Sequence, residues 1–134
     1  MRRVALGKGS MTTCKKLCRQ LVVECRDGNV CQRCGRGAGK IDWAHVVTRS
    51  DPSLICVPWN PLALCGPRIN QASCHNWFDN NKIASIGWWE ETFPDRAEAF
   101  MVWRHAKKHR IPDRRVEAEW LRQEIRAFGG TPCC

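Results

Sequence analysis

Hydrophobic and polar positions along this chain follow two different periods, and the change from one to the other marks out its elements. Apolar positions Cys14, Leu17, Cys18, Leu21, Val22 and Cys25 recur at steps of three and four, which is one face of a helix. Thr12 or Thr13 can cap that helix, and Asp27-Gly28-Asn29 ends it after about Arg26. Cys14, Cys18 and Cys25 therefore read as small buried hydrophobes, while Lys15, Lys16 and Arg19 lie off the stripe. Ile41 to Val47 has the β-branched and aromatic content of a strand, and a short second strand fits Leu62 to Cys65. Ser73 can cap a helix starting near Cys74, and Asn80-Asn81 and Gly87 read as breaks after it. Pro94-Asp95 opens a helix to about His109, and Pro112-Asp113 opens another to about Phe128. The apolar stripe of the last helix is Val116, Trp120, Leu121, Ile125 and Phe128. Residues 1–11 read as a flexible basic arm, 66–72 as an inserted loop and 131–134 as a frayed tail, leaving 12–130 as one domain.

Charge adds a partner to this picture. The formal net charge is +9, and it is unevenly spread: the balance is +8 over residues 1–50, −3 over 51–100 and +4 over 101–134. A basic front and back around a less basic middle suit a polyanion gripped on either side of a site. Lys15, Lys16, Arg104, Lys107 and Lys108 are the expected DNA contacts, although charge alone does not separate DNA from RNA. His105 and His109 are spaced like a metal pair but stand among cations, so they are read with the phosphate-contacting face. No stretch approaches the length of a membrane span, and Val4-Ala5-Leu6 is too short for the apolar core of a signal peptide. A cytoplasmic protein is expected, with reduced thiols, so the ten cysteines point to metal before disulfides. A homodimer is left open, with Trp88-Trp89 in a core or at an interface.

Cys31 and Cys34 form a C-x-x-C pair directly before Gly35, a spacing that lets two thiolates share one ion. Cys65 and Cys74 are the leading second pair for a structural Zn²⁺, with Cys56 as the substitute for Cys65. Eight residues separate Cys65 from Cys74 where two are usual, so GPRINQAS must loop out and return. A redox C-x-x-C is the alternative, but a Gly-rich link stands where the helix of such a motif would begin.

Taken together, C-x-x-C-G, Ala44-His45-Val46-Val47, Asn60, Leu64-Cys65 and Cys74-His75 resemble the HNH (ββα-metal, or His-Me finger) endonucleases, of the small prophage type, over about residues 12 to 81. The resemblance implies an α+β fold: a zinc-stapled ββα motif over about 31–82, flanked by N- and C-terminal helices. It implies hydrolysis of DNA phosphodiesters with His45 as general base and Asn60 holding the loop between the strands. Arg49, four residues past His45, is close enough in sequence to reach the scissile phosphate, the alternative being a general backbone contact or a solvated side chain. A catalytic Mg²⁺ or Mn²⁺ would lie on His75 and Asp79, which are four apart and so share a helix face. The chain departs from the family beside the base, where many members place an acidic or histidine ligand and this one has Ala44. Asp42, pointing the same way as Ala44 on a strand, is the expected stand-in. Two rivals remain: a non-catalytic zinc-ribbon DNA-binding or recombination accessory protein, and a thiol-rich metal-storage or redox protein.

Overall fold

A computed structural model describes residues 9–37, 39–48, 50–67 and 72–134. Residues 1–8 of the expected arm, Arg49 and residues 68–71 of the expected loop lie outside the described residues. Helix α1 (Met11–Arg19) is capped by Ser10, whose hydroxyl accepts from the Thr13 amide at 3.1 Å, in place of the anticipated Thr12 or Thr13. The end of the expected arm is also fixed. A Cβ on Gly9 would lie 2.1 Å from the Arg115 Cα, so only glycine lets the chain pass this close to the last helix.

Beyond Arg19 the helix widens into a π-helical segment, Gln20–Arg26, in which the Asp27 amide reaches the Val22 carbonyl, five residues back, at 2.9 Å. The wider turn buries three successive side chains, Leu21, Val22 and Val23. Strands β1 (Ile41–His45) and β2 (Pro61–Cys65) pair antiparallel, from Ile41 opposite Cys65 to His45 opposite Pro61. Alternation along the strands sends Trp43 and Ala63 into one core, with α1, the π segment, Ile55 and Cys56. Ala44, Leu62 and Leu64 enter a second core, with Cys31, Cys65, Cys74, Phe78 and Trp89. The architecture is α+β, a small two-stranded sheet between helical layers.

Helix α2 (Cys74–Asn80) starts at the anticipated Ser73 cap, whose hydroxyl accepts from the Asn76 amide. A further helix, α3 (Lys82–Thr92), was not anticipated. Gly87, expected to be a break, lies inside it on an open side, where a helical glycine costs only about 1 kcal/mol. The buried Ser85 hydroxyl donates to the Phe78 carbonyl and ties α3 to α2. Trp89 is fully buried and Trp88 packs edge-on against Trp77, Phe78 and Phe93, so both tryptophans of the pair serve the core.

Helix α4 (Pro94–His105) stops short of His109, which folds back to stack on Trp103 at 4.0 Å and bond its carbonyl at 2.7 Å. Helix α5 (Arg114–Ala127) buries Ala118, Leu121, Arg122 and Ile125, whereas Val116, Trp120 and Phe128 of the expected stripe are exposed. The small Ala118 lets α5 lie close to α1, and that contact outweighs the size of the neighbouring apolar side chains. The tail is not frayed. Gln20 bonds the Thr131 carbonyl and the Cys133 amide, and Arg122 bonds the Cys134 carbonyl.

Asp27, whose side chain is 1% exposed, pins the two halves together. It accepts from the Ala63 amide of β2 at 2.9 Å and from Arg26 at 2.8 Å, while Arg26 also reaches the Pro58 and Pro61 carbonyls. Arg96 of α4 approaches the same carboxylate at 3.8 Å, and burial pulls its guanidinium down to about 10. The sequence marked Asp27 only as a helix stop. No described helix is long and apolar enough to cross a membrane.

Candidate metal centre and adjoining clefts

The π segment delivers Cys31 and Cys34 to the end of β2, where Cys65 stands, and α2 begins with Cys74. Two backbone contacts fix the knuckle: the Gln32 amide donates to the Ala63 carbonyl, and the Gly35 amide to the Cys31 carbonyl, both at 2.9 Å. Gly35 has φ of 78°, a conformation that costs a side chain dearly. The four sulfur atoms lie within 4.8 Å of one another, with Cys34 and Cys65 3.8 Å apart. A tetrahedral ion with bonds of about 2.3 Å to sulfur spaces its ligands by about 3.8 Å, so the donor set fits a structural metal such as zinc. Cys56 takes no part: it is buried in the helical core together with Cys18.

Amide groups aim at these sulfurs, Cys34 N at Cys31 Sγ (3.5 Å) and Cys74 N at Cys65 Sγ (3.2 Å). Burial alone would raise the Cys31 thiol, but the amides around it outweigh burial and bring it down to about 7. Cys74 is pushed up to about 12 by burial, against a partly compensating bond from Arg33. That guanidinium sits 3.5 Å from Cys74 Sγ and lies over the Trp77 ring at 3.7 Å, a cation held beside the sulfur cluster.

On the other side of α2, the structure brings His45, His75 and Asp79 to one cleft of about 450 Å³, with Trp43, Thr48 and Lys82. His45 is buried, its Nε2 is 2.9 Å from the Ile55 carbonyl oxygen, and its ring meets Trp43 edge-on at 4.3 Å. A carbonyl can only accept, so Nε2 carries the proton and the lone pair of the neutral ring is on Nδ1. Asn60 is fully buried and clamps the loop between the strands. Its amide donates to the Val47 and Leu54 carbonyls at 3.1 and 3.0 Å, and its oxygen accepts from the Val47 amide at 2.7 Å.

Asp42, His75 and Asp79 touch, but not around one point. Asp42 Oδ2 bonds His75 Nδ1 at 2.8 Å, and Asp79 Oδ2 approaches His75 Nε2 at 3.2 Å, on the opposite edge of the ring. Among the described residues, the four cysteines are the group of three or more whose ligand atoms converge. Each carboxylate also has a lysine: Lys40 at 3.6 Å from Asp42, and Lys82 at 3.7 Å from Asp79. Gly66 makes room for Asp42, since a Cβ there would lie 2.6 Å from its carboxylate.

Lys15, Lys16, Arg104, Lys107 and Lys108 do not line this cleft. Arg104, Lys107 and Lys108 stand exposed at the end of α4 and beyond it, and Arg49 lies outside the described residues. Sequence reasoning missed Lys82, although it falls three residues after Asp79, and Lys40, two before Asp42. No protein-family model matches the chain, and no curated protein or solved structure matches it either.

Proposed function

We propose that this chain is a metal-dependent DNA endonuclease of the HNH type. The observation that carries the reading is that His45, its tautomer fixed by the Ile55 carbonyl, shares a cleft with an imidazole and carboxylate pair on α2. His45 Nδ1 takes a proton from water as the water oxygen attacks phosphorus. The bond to the 3′ oxygen breaks and that oxygen takes a proton from solvent water, leaving a 3′-hydroxyl and a 5′-phosphate. Asn60 holds the loop that carries Ile55, and so holds His45 indirectly. One imidazole nitrogen and one carboxylate, His75 Nε2 and Asp79, would hold Mn²⁺ or Mg²⁺ with water and phosphate oxygens supplying the remaining hard ligands. When bound, such an ion supplies positive charge for the phosphoryl oxygens and the departing 3′ oxygen.

Asp42 then serves as a positioning residue. It accepts the Nδ1 proton of His75, which points Nε2 into the cleft, as carboxylates behind metal-binding histidines do. The basic residues Lys15, Lys16, Arg104, Lys107 and Lys108 add non-specific attraction to DNA. A second reading, a non-catalytic zinc-ribbon DNA-binding protein, is favoured by Ala44 beside the base and by the failure of Asp42 and Asp79 to converge.

Plasmid relaxation by the zinc-loaded protein, with Mg²⁺, Mn²⁺ or EDTA, separates the two. The nuclease reading expects nicking that needs added metal and falls by about 10²- to 10⁴-fold in a folded His45→Ala variant. Parent and variant that both retard DNA on a gel without cutting it would support the binding protein.

A further inference from the structure

A second cleft, of about 470 Å³, adjoins the first and shares Trp43 and His75 with it. Its other walls are Arg19, Lys40, Ile41 and Asp42. We infer that Arg19 and Lys40 form a phosphate-binding subsite that holds the DNA strand on one side of the scissile phosphodiester; this rests on the nuclease reading.

Three observations support the subsite. Arg19 is aimed at β1, its guanidinium donating to the Ile41 carbonyl at 3.3 Å. The carboxylate inside the cleft is held chiefly by His75 Nδ1 at 2.8 Å, while its contact with the exposed Lys40 is looser, at 3.6 Å, and leaves that ammonium free to turn to a phosphate. Glu24, 3.9 Å from Arg19, is about half exposed and screened by water, so it offsets little of the cation's field. The positions of the charges also trace a path. Lys15 lies one helical turn before Arg19 on α1, Lys40 and Asp42 follow on the β1 side, and Lys82 stands across the first cleft beside Asp79. A backbone laid along both clefts meets cations at either end and the His45 and His75 pair between them. Arg19 and Lys40 were absent from the contacts expected from sequence, because neither belongs to a run of basic residues.

The test is binding of a fluorescein-labelled DNA duplex to the zinc-loaded protein in buffer free of added divalent ions, followed by anisotropy over a range of salt. Each lost phosphate contact makes the slope of log K against log salt shallower by about 1. Arg19→Gln and Lys40→Gln are each expected to produce that change. Arg126→Gln, which removes the same charge from α5 outside both clefts, is expected to keep the parent slope. Lys40 is 65% exposed, so its variant decides the matter even if Arg19→Gln fails to fold. If Lys40→Gln keeps the parent slope, or changes it no more than Arg126→Gln does, while the parent binds and nicks plasmid, the subsite is overturned and the nuclease reading stands. If the parent neither binds nor nicks DNA, both fall together.

Discussion

The two cores use the same residue in opposite ways. In the helical core, Cys14, Cys18 and Cys56 fill space beside Leu17, Val22 and Leu121, and burial pushes the Cys14 thiol up to about 12. In the ββα half, four sulfurs converge on one point, amides are aimed at Cys31 and Cys65, and Cys31 comes down to about 7 although burial still holds Cys74 at about 12. One half is built from apolar contact between helices. The other sets two five-residue strands and the short helix α2 against α3 and α4, with the cysteine cluster where strand and helix ends meet. A cysteine count cannot distinguish these uses; the direction of neighbouring amides can.

The largest way to break that contrast is to exchange serine for a knuckle thiol. Cys65→Ser is expected to cost several kcal/mol, a fraction of the roughly 10 kcal/mol that a whole structural zinc site adds to folding, and to weaken strongly the near-ultraviolet circular dichroism of the tryptophans packed on α2 and α3. Cys56→Ala, equally buried, should cost about 1–2 kcal/mol and leave those signals in place. Equal losses from the two variants would mean that the knuckle is only another packed core.

Asp27→Ala comes next in size. It strips the carboxylate shared by Arg26 and the Ala63 amide, at an expected cost of about 3 kcal/mol. With that pin gone, chelator and urea should unfold the halves in two separate transitions. A single cooperative transition would show that the sheet, sandwiched between the cores, is link enough.

The smallest effect concerns protons. Below about pH 7 the metal-free Cys31 holds a proton that an incoming ion must displace, and above it the thiolate is already formed. Cys74, pushed up to about 12, gives up its proton at any pH in this range. Proton release on zinc loading should therefore fall by about one as pH rises through about 7. Titration calorimetry in buffers of different ionisation heat measures it, and a flat profile would contradict the lowered Cys31.

The half that holds the cysteine cluster was the more legible in sequence. The knuckle spacing, both strands and the Ser73 cap are local features, and each lies within about two residues of its anticipated place. The features that escaped depend on partners distant in the chain. Of the expected α5 stripe, Leu121 and Ile125 are buried while Val116, Trp120 and Phe128 stay exposed, because α1 meets the face that also carries the small Ala118, where backbones can approach. Asp27 reads as a terminator until β2 presents an amide to it, and the tail reads as frayed until Gln20 is seen to hold it. In the first cleft, the shared helix face of His75 and Asp79 was legible by spacing, whereas His45 as the base, and the buried Asn60 behind it, came from the family resemblance. The division of the His75 ring between Asp42 and Asp79 required coordinates, because spacing says which residues share a face but not which nitrogen each one meets.

The widened turn of Gln20–Arg26 has a consequence for chain length. A turn closed between residues five apart takes up one residue more than an α turn while carrying the chain through about the same revolution. A deletion there can be absorbed by narrowing the turn, with Asp27 still arriving at β2. The same deletion within Met11–Arg19 would rotate the apolar stripe by about 100° against everything after it. The segment leading to the knuckle is thus elastic in one place and inextensible elsewhere, and natural gain or loss of a residue should be found in that one turn.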